Sequence, residues 1–152
     1  MVHAAVGLFM LVLPGASVAV DLGNGGDEPV MAVVGTWFVF WAVGVRLLTA
    51  GLRQVVRPGL TAEGILGVTD RRAWVLVREL GFANVAIGAA GVLSLWAAGW
   101  RPAAALAGGL FLLLAGAQHL TRSHRNGEEN VAMVSDLAIG VLMLGYVAWA
   151  WT

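Results

Sequence analysis

From residue 80 to residue 100 the chain runs without a charged side chain, but the helix that holds this run begins near Arg71 and carries Arg78 and Glu79 in its body. At 100° per residue, Glu79 falls on a face with Ala83, Ala86, Ala90 and Ala97, and Asn84 on a face with Gly81, Gly88 and Gly91. Small residues let membrane helices approach closely, so they mark contacts with other helices rather than with lipid. Two such seams predict neighbours on two sides. Residues 71–100 therefore read as the central helix of a membrane bundle.

The rest of the chain supports a membrane setting. Only 12% of the 152 residues are charged, and the mean hydropathy is +0.83. Soluble domains carry about 25% charge, so an ordinary soluble domain is excluded. The length suits one small helical bundle, taken as a single domain over residues 1–152, with no separate soluble domain. Net charge is zero and no basic patch stands out, so nucleic acid is not an expected partner. The absence of cysteine removes disulfides, thiolate metal sites and a cysteine nucleophile.

The fold class expected is all-α, a polytopic membrane helix bundle of five spans with antiparallel neighbours. The first span covers residues 2–20, with Pro14 kinking it. Its rival reading is a signal peptide cleaved near Ser17 and Ala19, which would leave four spans. The glycine-rich acidic loop 21–30 follows, and Pro29 opens a second span over about 31–53. Arg46 shares a face of that span with Gly35, Ala42 and Ala50, which turns its charge into the bundle. In the long connection 54–70, Pro58 and Gly59 break the helix, and Thr61 with Glu63 predicts a short interfacial helix near 61–68. Asp70 then caps the central span. A turn at 100–102 leads into a span ending near His119, and Asn126 opens the last span, residues 131–151, with Asp136 on its inner face. Glu128 and Glu129 sit favourably in its first turn. Tyr146, Trp149 and Trp151 form an aromatic belt at its end.

Arginine sets the orientation. Arg53, Arg57, Arg71 and Arg72 flank one connection and Arg122 and Arg125 another, whereas the opposite side has Arg101 alone. The positive-inside rule then makes 54–72 and 120–130 cytoplasmic, the N-terminus cytoplasmic and the C-terminus outside.

In this orientation Arg46, Glu79, Asn84, Gln118, His119 and Asp136 all lie in the cytoplasmic half of their spans. Charges in hydrocarbon must pair or face water. The economical arrangement sets Arg46 against Glu79 and Asp136, with His119 and Asn84 supplying hydrogen bonds. One arginine facing two carboxylates is unbalanced unless a carboxylate is protonated or His119 is cationic, so the group is expected to be proton-labile. Arg78 shares a face with Val85, Val92 and Trp96 and snorkels to the interface. A metal site from Glu79, His119 and Asp136 lacks supporting spacing, and haem ligation by His119 with His3 has no motif behind it. No cofactor and no catalytic residue is expected.

The strings FWAVGVRLLTAGLRQ (residues 40–54), RELGFANVAIGAAGVLSL (78–95) and ENVAMVSD (129–136) resemble an uncharacterised family of small bacterial multi-span inner-membrane proteins. The layout is more distantly similar to DoxX-type four-helix membrane proteins. The resemblance implies an inner-membrane bundle and brings no substrate, cofactor or catalytic residue. Two function classes follow. The inner polar group serves a proton-linked transporter or a ligand-binding bundle, or it locks a structural or accessory subunit of a membrane complex. The lipid bilayer is the expected partner in either case, with a homo-oligomer or larger membrane complex beside it, and transport is expected to require an oligomer because five short helices enclose little volume.

Overall fold

The computed structural model describes residues 6–121 and 127–152 and is all-helical, with no strand among the described residues. Six helices follow one another: α1 (Leu8–Gly23), α2 (Val30–Val56), α3 (Pro58–Gly64), α4 (Ala73–Leu93), α5 (Arg101–Leu120) and α6 (Gly127–Ala150). A short 3₁₀ turn, Ala98–Trp100, leads into α5. By length and composition, Val30–Val56, Ala73–Leu93, Ala98–Leu120 and Glu129–Ala150 are each able to cross a membrane. The α1 helix is apolar but shorter, and residues 2–5 of the expected first span lie outside the described residues, as does the expected cap Asn126.

Two helices contain a π-turn. In α1 it covers Leu8–Val12, where the Leu13 N–H donates to the Leu8 carbonyl five residues back. Pro14 follows, and its missing N–H cannot bond the Met10 carbonyl, so the ladder adjusts just before the ring. The α2 helix has a π-turn at Val39–Val45, and the Arg46 N–H donates to the Trp41 carbonyl as the chain leaves it. The two π-turns meet: Phe9 stacks on Trp41 with ring centroids 6.3 Å apart. Two further bonds tie α1 to α2, from Trp37 Nε1 to Asp21 (2.8 Å) and from Trp41 Nε1 to Ser17 Oγ (3.1 Å).

The centre of the bundle is α2, a correction to the expectation for α4. Val39, Ala42 and Val43 are fully buried, and α2 touches α1, α4, α5 and α6. The glycine seam of α4 packs on α2: Gly91 lies against Gly44, Gly88 against Leu48, and Gly81 against Gly51 and Gln54. The backbones are so close that a methyl built on Gly91 would stand 2.7 Å from the Gly44 Cα. The α5 and α6 helices meet in the same manner, Gly109 against Met143 and Gly116 against Leu137. The alanine seam of α4 is open at one end, where Ala83 and Ala86 are exposed together with Glu79, whereas Ala90 packs against the core.

The α3 helix starts earlier than the sequence suggests. The helix breaks where expected, since α2 ends at Val56 and Arg57 leaves the helical region, and Pro58 then opens the next helix, because its fixed φ and missing N–H suit the first helical position. Thr61 is thereby inside the helix and buried rather than a cap. Asp70 accepts a bond from the Arg72 N–H at 2.9 Å, an Asx-turn that sets the start of α4.

Candidate functional site

Because α2 carries Arg46 at the exit of its π-turn, the guanidinium reaches α6 and donates to Asp136 Oδ1 at 2.6 Å. Both side chains are largely enclosed, at 14% and 8% exposure. A short, charge-assisted bond is the expected solution for two charges removed from water. A second pair joins α5 to α6: His119 Nδ1 stands 2.9 Å from Glu129 Oε1. The two pairs share α6, and His119 and Asp136 line the same cavity. A third polar contact ties α4 to α2, where Asn84 Nδ2 donates to Gln54 Oε1 at 2.7 Å.

These contacts surround a cavity of about 380 Å³. Arg46, Asn84, His119 and Asp136 are all in its wall, alongside Gln54 and Thr61. Thr49 and Arg53 also line it, and apolar side chains supply most of the remainder, among them Phe9, Leu47, Phe111 and Leu112. Ligand sites are concave, mostly apolar and fitted with a few placed polar groups, from roughly 300 Å³ upward. The cavity is at the small end of that range.

Four of the six residues singled out from the sequence therefore converge. Glu79 does not. It is exposed on the far side of α4, and Arg46 pairs with Asp136 alone. Gln118 is exposed on α5, one position from His119 and turned away from the cavity. In place of Glu79 the structure brings in Glu129, which is 2% exposed. Its signal was in the spacing: Glu129 precedes Asp136 by seven residues, two helical turns on the same face. Gln54 and Thr61 were also missed, the first for lying at a helix end and the second for being read as a cap.

Chemically, the group places one ion pair and one imidazole–carboxylate hydrogen bond between α2, α5 and α6. An imidazole hydrogen-bonded to a carboxylate is a place where protonation changes the charge of the wall. Among the described residues no three His, Asp or Glu side chains gather as metal ligands, and His3 lies outside the described residues.

The family model of DUF6790, a family of unknown function, matches residues 3–152, and the chain belongs to that family. No curated protein and no solved structure matches it.

Proposed function

We propose that this DUF6790 chain is a multi-span membrane protein of the bacterial inner membrane that binds a small amphipathic molecule in the cavity between α2, α4, α5 and α6. The observation that carries this reading is the cavity wall, where polar side chains, Arg46, Asp136, His119, Asn84, Gln54 and Thr61 among them, stand in a largely apolar lining. A membrane setting is supported by the outside of the bundle, where large apolar side chains such as Leu76, Trp96, Leu114 and Val141 are all more than half exposed. In this reading α1 is a fifth span. The contact pairs Gly44–Gly91 and Gly51–Gly81 support antiparallel neighbours, since the numbering rises in α2 as it falls in α4. If the ligand is carried across the membrane, the His119–Glu129 pair is where proton coupling would sit.

Orientation follows from the arginines, with the N-terminus cytoplasmic and the C-terminus outside. Cysteine introduced at Asn24 and at Val68, both exposed, should label from opposite sides of the membrane. Labelling of both from one side would end the topology. Ser123, on the other connection expected to be cytoplasmic, lies outside the described residues.

A structural role is the second reading, and one observation favours it: Arg46 and Asp136 are already matched within the bundle. The two readings separate on Ala115→Phe, which fills the cavity from α5. On the binding reading, a panel of small amphipaths raises the melting temperature of the wild-type protein in lipid nanodiscs and leaves Ala115→Phe unmoved. On the structural reading, no compound shifts the wild type.

A further inference from the structure

Resting on the binding reading, the cavity also defines the chemistry of the head group it takes. Besides His119, Thr49 and the exposed Arg53, its wall holds two sets of polar groups. The first, Arg46 with Asp136, is charged and internally neutralised, so a ligand brings it no missing partner. The second is uncharged and incomplete. Asn84, Gln54 and Thr61 are 4%, 8% and 6% exposed, and each lines the cavity.

The hydrogen-bonding capacity of this second set is not used up. Asn84 and Gln54 spend one donor and one acceptor on each other, and the Asn84 Oδ1 atom is buried without a partner. The Gln54 Nε2 amine makes no bond among the described residues, and neither does the Thr61 hydroxyl. Reversing both amides changes which side chain offers which atom, but not the sum. One amide carbonyl and one amide NH₂ remain unspent in either orientation. Asn84 Oδ1 is buried without a partner, which is costly, so this set favours a group that can satisfy it together with the unbonded Gln54 amine.

We infer that the cavity selects an uncharged head group that both donates and accepts hydrogen bonds, a hydroxyl or a primary amide, on a small apolar body. A carboxylate accepts but cannot donate to the unspent carbonyl. An ammonium donates but cannot accept from the unspent NH₂ and the hydroxyl. The apolar body fits against Phe9, Leu47, Phe111 and Leu112, which line the same cavity. Arg53 also lines it, but it is exposed. An anionic head held there is the competing outcome.

The test uses four probes with one tail: octanamide, 1-octanol, octanoate and octylammonium. Binding to the full chain in nanodiscs is measured at about pH 8, where the acid is ionised, with Ala115→Phe as the control for partition into lipid. Octanamide and octanol should bind at least about tenfold more tightly than the two charged probes, the effect of one buried hydrogen bond made or lost. Gln54→Leu with Asn84→Leu removes both amides together and leaves neither without its partner, so the fold survives and the preference should vanish. A preference that persists in this double variant overturns the inference. So does octanoate binding as tightly as octanamide and weakening in Arg53→Gln. If no probe distinguishes wild type from Ala115→Phe, the binding reading itself falls and the inference with it.

Discussion

Asp136→Ala should destabilise the solubilised protein by about 3–5 kcal/mol, the cost of breaking a buried ion pair from one side. Arg46→Ala should cost less. The two halves of the pair differ in what they can do alone. A carboxylate left bare in an apolar wall can take up a proton and become neutral, whereas a guanidinium stays charged. With Arg46 at 14% exposure, little solvent is available to soften that charge. The double variant Arg46→Met with Asp136→Leu should recover most of the loss, because apolar residues of similar volume leave nothing uncompensated. Reversible unfolding in mixed micelles of all four proteins checks the order. Equal losses for the two single variants would contradict the argument, as would a double variant that loses their sum.

Gly91→Ala should cost about 1–3 kcal/mol, although alanine is the better helix former. The added methyl would stand 2.7 Å from the Gly44 Cα and 2.8 Å from its nitrogen, so backbone rather than a flexible side chain has to give way. Separating α2 from α4 at this level also strains the Asn84–Gln54 contact in the cavity wall. Gly145→Ala is the matched control. It lies within α6, and nothing stands within 4 Å of its added methyl. There the helix propensity acts alone, and the substitution should be neutral or stabilising by up to about 1 kcal/mol. The same unfolding assay reads both. If Gly91→Ala matches the control, the seam is looser than these distances imply.

The contrast between the two seams of α4 explains what could be read in advance. Gly81, Gly88 and Gly91 signalled a contact because glycine in a helix is costly unless something approaches closely. Alanine carries no such cost, so Ala83 and Ala86 are equally at home on an open face, where the structure has them. Glu79 was grouped with Asn84 because both lie in the same half of one helix. Five residues separate them, about 140° of rotation, and one helix cannot turn both towards a single cavity. Gln118 and His119 present the same conflict at about 100°. Arg46, His119 and Asp136 were legible because each is a charged or titratable group on a face of small residues. Which acid meets which base was not, because it depends on the rotation of α6 against α2 and α5, and no local pattern encodes that. The place of α2 at the centre was equally hidden. It rests on contacts with all five other described helices, and Gly44 and Gly51, which meet α4, were not part of the reading of its face.

The π-turn of α2 has a consequence for the length of this helix. A π-turn accommodates one residue more than the α-helical turn it replaces, and the helix continues beyond it. The α2 path therefore holds one residue of slack between Gly35, which packs on Tyr146, and Arg46, which meets Asp136. A related chain one residue shorter within Val39–Val45 would close that turn to ordinary α-helical bonding and still set its arginine opposite the aspartate. Earlier in α2, before the π-turn, the same deletion would turn every later side chain by about 100° and carry Arg46 and Gln54 off the wall together.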